Sequence, residues 1–276
     1  MRILLPVDGS EHCRNALRFI ASRQALSPEK EATVELLNVQ HSIPEAVINA
    51  LGLDSVRKAS QDEGMKVIDA MREDAGDHLG GCRRAWRLRG SCRERAEAVI
   101  VREADHMDAD LIVMGCRGLS AMEGFFVGSV SAKVISLTKR PLLLVRDKIP
   151  AGAMRVGICV DHSDYAHAAA EFVVNQREFF GKDAVFEVIN VSETEETFHQ
   201  AVEPVMTVFE DAGVPAERVH LKGKVGDAIC NYAGEGKLDM LVIGSHGYGN
   251  FRAAFMGSTA MRITAGCEVP LLVLKA

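Results

Sequence analysis

The sequence of 276 residues carries one pattern twice. The stretch "ILLPVDGSEHCRNAL" (3–17) is echoed by "VGICVDHSDYAHAAA" (156–170), and "DADLIVMG" (108–115) is echoed by "KLDMLVIG" (237–244). Such a repeat constrains the fold strongly, because each copy must build the same supersecondary elements and bury the same faces. The sequence therefore predicts two similar domains in tandem.

Within each copy, short runs rich in Leu, Ile and Val alternate with amphipathic stretches, which is typical of βαβ units on a parallel sheet. We predict an α/β fold with domains at 1–148 and 153–276, joined by "DKIPAGA" (147–153), whose Pro and Gly suit a linker. The second helix of each copy shows an apolar face, formed by Ile68, Met71, Ala75 and Leu79 in the first copy and by Val202, Val205, Val208 or Phe209, and Ala212 in the second. The strands of the first copy are predicted near 2–8, 33–39, 84–89, 110–115 and 141–146.

The first copy contains an additional segment, "HSIPEAVINALGLDSVRKAS" (41–60). It lies between Val39 and Gly90, which are further apart than Val191 and Gly223 in the second copy. The segment is predicted to add a helix or a long surface loop. Decoration of the surface, a partner-binding role and a lid role all remain open.

Composition narrows the class of protein. With 47% hydrophobic residues, 25% charged residues and a net charge of -6, the chain is expected to be globular and a poor binder of nucleic acid. The basic stretch "CRRAWRLRGSCRER" (82–95) is interpreted as a strand with solvated arginines leading into a helix. Because the sequence has no apolar run of about 20 residues and no signal peptide at its start, we expect no membrane span and a cytoplasmic location.

The seven cysteines include no CxxC pair. This pattern suits a reducing compartment better than a disulfide framework. Cys13, Cys116 and Cys159 have no recurring ligand spacing, so they are interpreted as small buried or turn residues and no metal site is predicted.

Both copies contain the spacing G-x2-G-x9-G-S after the fourth strand. In the first copy it runs from Gly115 and Gly118 to Gly128-Ser129, and in the second copy it recurs 129 residues later and ends at Gly257-Ser258. The Gly-Ser pair is predicted to open the last helix of each copy. Glycine allows a tight turn and a close approach to a ligand. A helix N-terminus offers unpaired N–H groups and the positive end of a dipole, which together favour phosphate. The motif is neither a Walker A loop nor a G-x-G-x-x-G fingerprint.

Other features fall at the ends of the predicted strands. Asp8 and Asp161 end the first strand of each copy, and Val39 and Val191 end the second. In an open parallel sheet, ligands bind at the carboxyl ends of the strands where the strand order reverses. These residues and the glycine motif are therefore expected at one edge of the sheet.

The segments "VDGSEHCRNAL" and "GCRGLSAMEGFFVGSVSAKVISLTKRPLLLV", together with the repeated motif, resemble the universal stress protein family of the ATP-binding type. The resemblance covers nearly the whole chain as two tandem family domains. It implies a five-stranded parallel sheet with flavodoxin-like or Rossmann-like winding, of the adenine nucleotide alpha hydrolase-like kind. It also implies ATP as the ligand, with Mg²⁺ held through the phosphates.

The resemblance further implies which residues bind the nucleotide. Asp8 and Val39 would lie around the adenosine, with the aspartate facing the base or ribose and the valine backbone reading the adenine edge, and Asp161 and Val191 would do so in the second copy. The remaining expected nucleotide-binding residues are Pro6, Val7, Met114, Gly115, Arg117, Gly118, Gly128, Ser129, Val130 and Ser131 in the first copy, and Val160, Ile243, Gly244, His246, Gly247, Gly257, Ser258 and Thr259 in the second.

The second copy departs from the first at two of these positions. Cys159 stands where the first copy has Pro6, and Ala260 replaces the hydroxyl of Ser131, so that Thr259 is the nearest substitute.

Three functions remain open. The first is an ATP-binding stress-response or signalling module, favoured by two complete motifs without an evident catalytic dyad. The second is a slow ATPase or autophosphorylating protein, for which His246, Ser129 and Ser258 are the candidate active groups. The third is a protein-interaction module that binds no nucleotide and uses the additional segment 41–60.

The last strands of the copies, "PLLLV" (141–145) and "PLLVL" (270–274), are apolar and are expected at sheet edges, where unpaired backbone invites association. Family dimers pair these strands antiparallel. The resemblance therefore implies an internal pseudo-dimer, and it leaves open a further homodimer of the whole chain.

Overall fold

A computed structural model describes residues 1–24, 33–40, 43–75, 83–88, 95–116, 128–147, 149–150, 152–245 and 257–275. Strands and helices alternate along each half, as the repeat predicts. The first half contains β1 (Arg2–Pro6), α1 (Glu11–Gln24), β2 (Thr33–Gln40), α2 (Glu45–Leu51), α3 (Leu53–Ala75), β3 (Arg83–Leu88), α4 (Ala96–His106), β4 (Leu111–Gly115), α5 (Ser129–Leu137) and β5 (Leu142–Val145). The second half contains β6 (Arg155–Cys159), α6 (Asp164–Asn175), β7 (Val185–Val191), α7 (Glu195–Asp211), β8 (Ala216–Leu221), α8 (Val225–Tyr232), β9 (Met240–Gly244), α9 (Ser258–Gly266) and β10 (Leu271–Leu274).

Ten strands of the described residues form one sheet, in the order β3-β2-β1-β4-β5-β10-β9-β6-β7-β8. All pairs within a half are parallel, and β5 pairs with β10 antiparallel, with Leu143 opposite Leu272. In each half the chain first builds outward through three strands and then returns to the other side of its first strand. The strand order therefore reverses between β1 and β4 and between β6 and β9, which confirms the predicted α/β class.

The helices cover both faces of the sheet. One core contains side chains of α1, α3, α6 and α7, and the other contains side chains of α4, α5, α8 and α9. Consecutive residues of β4 alternate between these cores, since Val113 belongs to the first and Ile112 and Met114 belong to the second. A central strand buried on both faces needs apolar residues throughout, which explains the uninterrupted run "LIVM".

Within the described residues 43–60, the additional segment of the first half is mostly helical. It contains α2 and the start of α3, so the helical alternative in the sequence prediction is confirmed. Ile68 and Met71 of α3 and Phe209 of α7 are fully buried, as the periodicity predicts, whereas α2 has no buried residue.

None of the described helices combines the length and the apolar character that a membrane span requires.

The connection between the halves is held by a buried arginine. Arg23 of α1 donates to the carbonyl oxygens of Pro150, at 3.1 Å, and Gly152, at 2.8 Å. Its guanidinium lies 5.5 Å from the ring centre of Phe19, which in turn contacts the ring of Phe179 in the second half. These contacts join α1 to the connection and to the second half.

A disulfide joins Cys230 to Cys267. The cysteine pattern did not predict it, because the two residues are 37 positions apart and belong to no motif. The expectation that the cysteines form no disulfide framework is therefore wrong for Cys230 and Cys267.

Candidate functional site

The carboxyl ends of β1, β2 and β4 lie at one edge of the first half, and those of β6, β7 and β9 lie at one edge of the second. In the first half this edge carries Pro6, the last residue of β1, followed by Val7 and Asp8, together with Val39 of β2 and Met114 and Gly115 of β4. The amide of Val7 donates to the carbonyl of Leu37 at 2.8 Å, so the segment after β1 stays against β2. Val160 makes the equivalent bond to Ile189 at 2.9 Å.

A buried asparagine holds this segment in each half, and the sequence analysis missed both. Asn38 donates its amide to the carbonyl of Val7 at 2.7 Å, and Asn190 donates to the carbonyl of Val160 at 2.9 Å. Each asparagine directly precedes the valine that was expected to read adenine. The repeated dipeptide "NV" in "LLNVQ" and "VINVS" was an available signal.

The two aspartates stabilise the turn into the first helix of each half. Asp8 accepts from the amide of Ser10 at 3.0 Å, and Asp161 accepts from the amide of Ser163 at 3.0 Å and from its hydroxyl. This Asx turn uses one carboxylate oxygen, Oδ1, in each case. The turn fixes the position of the carboxylate at the edge where β1 or β6 ends.

Gly115 is required by packing within the protein. A Cβ at this position would lie 2.0 Å from the carbonyl oxygen of His12 and 2.7 Å from the amide nitrogen of Cys13. The backbone of α1 therefore crosses directly over the end of β4. Packing against α1 is thus one reason for a glycine at this position, and the expected role of Gly115 in nucleotide binding stays a prediction.

Gly128 differs from Gly115 in this respect. It is the N-cap residue of α5 with φ -47° and ψ 148°, a conformation open to any residue, and the nearest described atom to a Cβ there is the hydroxyl of Ser131 at 4.0 Å. No side chain in the described part of the chain caps α5. Ser129 and Val130 follow in the first turn, where Ser129 is exposed and Ser131 is buried. Among the described residues, the start of α5 therefore has no side chain packed closely against it.

The second half brings the ends of its motif together by a direct bond. The amide of Gly257, the N-cap residue of α9, donates to the carbonyl of Ser245 at 3.1 Å. Ser245 directly follows Ile243 and Gly244 at the end of β9, so the start of α9 lies beside that strand end. Ser258 and Thr259 are exposed in the first turn, and Ala260 is buried where the first half has Ser131. Arg117, Gly118, His246 and Gly247 lie outside the described residues.

The two edges differ beside the asparagines. In the first half the amide of Gln40 donates to Oδ1 of Asn38. Ser192 takes the place of Gln40 in the second half, and its hydroxyl lies 3.0 Å from Nε2 of His220. Among the described atoms, Oδ1 of Asn190 is buried without a hydrogen-bond partner. The second edge therefore differs from the first in holding a buried acceptor without a described hydrogen-bond partner.

The cysteines near these edges are poor metal ligands and nucleophiles. Burial raises the pKa of the Cys13 thiol to about 12, of Cys116 to about 11 and of Cys159 to about 12. A thiol must lose its proton to bind a metal or attack an electrophile. No group of three or more metal-binding side chains occurs within the described residues.

Comparison with known protein families matches the universal stress protein family over residues 1–146 and again over 153–275. A universal stress protein of Mycolicibacterium smegmatis is 21% identical over 289 aligned positions, which cover 99% of this chain and 96% of that protein. Universal stress protein YxiE of Bacillus subtilis is 28% identical over 156 positions, covering 52% of this chain and 98% of its own length.

A solved structure of a universal stress protein from Archaeoglobus fulgidus has the same fold. It superposes with a TM-score of 0.75 at 20% identity and covers 99% of this chain and 98% of its own. The two matched segments coincide with the two halves of the sheet. The chain therefore belongs to the universal stress protein family and carries two family domains in tandem.

Proposed function

We propose that the protein is a nucleotide-dependent stress-response or signalling module that binds ATP at the carboxyl edge of each half. The observation that carries the proposal is a helix N-terminus without a described side-chain cap at the start of the last helix of each half, which in the second half is hydrogen-bonded to the residue after β9. Gly128 of α5 and Gly257 of α9 mark this position in the two halves.

Phosphate is the chemical group that suits these helix ends. The first-turn N–H groups of α5 and α9 have no acceptor within their own helices and lie at the positive end of the helix dipole. The exposed hydroxyls of Ser129, Ser258 and Thr259 add donors. A Cβ atom at Gly128 would have no described side-chain atom closer than 4.0 Å, which supports approach by a ligand.

A nucleoside suits the other end of each edge. Asp8 and Asp161 have fixed carboxylates that accept hydrogen bonds from ribose hydroxyls. The backbone of Val39 and Val191 lies beside the segments that Asn38 and Asn190 hold. Oδ1 of Asn190, which has no hydrogen-bond partner among the described atoms, is an acceptor for a ligand N–H or O–H group. The residues present therefore fit an adenine nucleotide, and Mg²⁺ would be held through its phosphates.

The purified protein tests this proposal directly. Heat release followed by chromatography should detect bound adenine nucleotide, and calorimetry after stripping should give two ATP sites per chain. Gly128→Val and Gly257→Val should each remove one site, because the added side chain fills the space at the helix N-terminus while ψ near 150° accommodates valine. Gly234→Val is the matched control, since a Cβ at Gly234 meets no described atom within 4 Å.

Absence of both bound nucleotide and ATP affinity would contradict the proposal. The same preparations distinguish binding from catalysis. Conversion of ATP to ADP, or transfer of phosphate to the protein, that disappears in Gly128→Val and Gly257→Val would assign slow chemistry to these sites. Turnover that survives in both variants would come from elsewhere.

A protein-interaction role has its own supporting observation in helix α2. This helix buries none of its residues, and the side chains of Val47 and Leu51 in it and of Leu53 at the start of α3 are exposed, with Leu51 at 64%. Contiguous exposed apolar surface is typical of protein-interaction sites. A Val47→Ser/Leu51→Ser variant should keep its ATP affinity and its fold and should lose partner binding.

We also propose that pairing of β5 with β10 makes the two halves an internal pseudo-dimer and that the whole chain forms a homodimer. The domain limits proposed are 1–148 and 153–276. Light scattering after size-exclusion chromatography measures the mass of the assembly, and a mass of 30.0 kDa would contradict the homodimer.

A further inference from the structure

Helices α8 and α9 of the second half are tied together along their length. Arg262 of α9 donates from Nε to Oδ1 of Asp227 at 2.8 Å, and Gly226 provides the space that the Arg262 side chain fills. One turn further along, Cys230 of α8 is joined to Cys267, the residue directly after α9, and their Cα atoms are 4.9 Å apart. The disulfide therefore anchors the C-terminal end of α9.

The two sulfurs differ in access. Cys267 is buried, whereas Cys230 is half-buried, so a reagent from solution reaches the Cys230 sulfur first. Cys13, Cys116 and Cys159 are free thiols whose pKa values are raised by burial, which makes them slow in exchange reactions. Within the described residues, the Cys230 and Cys267 pair is thus the favoured place for thiol oxidation.

The first half provides an internal comparison. The positions 129 residues earlier are Val101 and Thr138, so the equivalent helices α4 and α5 have no such bond. An ion pair between Lys133 and Glu97, at 3.4 Å, joins them, as the pair of Arg262 and Asp227 joins α9 to α8. The covalent tie is therefore specific to the second half.

Helix α9 is held by the packing of its buried residues, such as Ala260 and Ile263, and the disulfide adds a covalent tie. It has nine residues, and isolated helices of fewer than about 12 residues are marginal in water. Its N-terminus, at Gly257 and Ser258, is the proposed phosphate site, about 13 Å along the helix from its end. Anchoring of the C-terminal end restricts the motion of the whole short helix, including the N–H groups of its first turn.

We propose that Cys230 and Cys267 form a reversible redox-modification site that controls how rigidly α9 presents its N-terminus to the nucleotide of the second half. Oxidation to the disulfide orders α9 and strengthens phosphate binding, and reduction weakens it. The nucleotide part rests on the proposed function, whereas the oxidation and the ordering of α9 do not.

The chemistry is two thiol–disulfide exchanges with a small-molecule disulfide, such as oxidised glutathione, as the oxidant. The Cys230 thiolate attacks one sulfur of the oxidant, forms a mixed disulfide and releases one glutathione thiolate. The Cys267 thiolate then attacks the Cys230 sulfur and displaces the second glutathione thiolate. The protein loses two electrons and two protons, and the oxidant becomes two thiols. Excess thiol reverses both steps.

The first experiment measures the oxidation state. The full chain is incubated with oxidised and then with reduced glutathione, followed by differential alkylation and peptide mass spectrometry. We expect Cys230 and Cys267 to convert in both directions while Cys13, Cys116 and Cys159 stay reduced. The proposal is overturned if the pair does not oxidise, or if it resists excess dithiothreitol in the native protein.

The second experiment measures the order of α9 by hydrogen exchange. Amides of residues 258–266 should exchange more slowly in the oxidised protein, and a Cys230→Ser/Cys267→Ser variant should match the reduced protein under both conditions. A Cys82→Ser/Cys92→Ser variant keeps the pair and should keep the response. Equal exchange in both redox states would overturn the proposal.

The third experiment measures ATP affinity in a Gly128→Val background, which isolates the second site. Reduction should weaken binding about three- to tenfold, as expected for loosening one helix N-terminus. Unchanged affinity after reduction would overturn the regulatory part. If neither redox state binds ATP, the proposed nucleotide function fails, and the hydrogen-exchange result still decides the redox part.

Discussion

The carbonyl oxygen of His12 lies 2.0 Å from the position that a Cβ atom would take at Gly115. Gly115→Ala therefore forces α1 away from the end of β4, and we expect a loss of about 3 kcal/mol in the free energy of unfolding, at the upper end of the usual cost of overpacking. Urea unfolding followed by circular dichroism measures this loss. Gly128→Ala is the control, and its stability should stay within about 0.5 kcal/mol of the original. Equal stability of the two variants would contradict the close approach.

The buried amide of Asn190 supports the second edge. Asn190→Asp replaces the N–H donor that bonds the Val160 carbonyl with an oxygen, and at pH 7 the buried carboxylate should cost about 3 kcal/mol of stability and weaken ATP binding at that site. A protonated carboxyl can donate to the same carbonyl, so the loss should shrink as the pH falls toward about 4. Asn175→Asp, at an exposed position, is the control for the substitution.

Arg23 should protect the connection between the halves. Burial lowers the pKa of this guanidinium, and its two bonds to the Pro150 and Gly152 carbonyls offset the cost of burying it. Arg23→Lys removes the pair of hydrogen bonds that the guanidinium donates to the two carbonyls. We therefore expect the free energy of unfolding to fall by about 2 kcal/mol and proteolysis within 147–153 to become faster. Arg18→Lys, on the same helix but half exposed, should leave the cleavage rate unchanged. Cleavage at equal rates in both variants would argue against this role.

Glu203, on the outer side of α7, should make a pH-dependent contribution to the free energy of unfolding. Hydrogen bonds from Arg218 and then His199 lower the pKa of its carboxyl from 4.5 to about 2. Because the folded-state pKa is below the unfolded one, the stabilisation is present above pH 4.5 and is lost as the pH falls toward 2. Glu203→Gln should therefore be less stable than the original at pH 7, and the difference should narrow below pH 4.5.

The effect at Glu203 should be small, because the pair is partly exposed and screened by solvent. Arg218 also contacts Glu210 at 3.2 Å, which keeps part of the attraction in the variant. Urea unfolding between pH 7 and pH 3 measures the difference. Glu193→Gln, at another exposed glutamate, is the control, and a difference between Glu203→Gln and the original that does not change with pH would contradict the assignment.

The sequence was sufficient for much of the fold because local pattern and global burial agree. The uninterrupted apolar run of β4 reflects a strand covered on both faces, and the periodic apolar positions Ile68 and Met71 became the buried face of α3. Because the two copies share one pattern, each helix or strand predicted in one copy was also predicted at the matching place in the other. The glycine motif likewise predicted where α5 and α9 begin, since a helix start has a local signature.

Contacts between distant segments account for what the sequence did not predict. The approach of His12 to Gly115 and the bond between Cys230 and Cys267 depend on how helices cross, and no spacing encodes that. Buried Glu187 is another example, since its partners Arg155 and Tyr232 come from a neighbouring strand and from α8. Asn38 and Asn190 were detectable in principle, because both copies carry them at the same place.

The antiparallel pairing of β5 with β10 has a consequence for how the protein meets its surroundings. All strands of one half run opposite to all strands of the other, so the two carboxyl edges face away from each other across the molecule. A large molecule seated over one edge leaves the other uncovered. The tandem chain can therefore present its two carboxyl edges to two separate partners, and it cannot enclose one ligand between them.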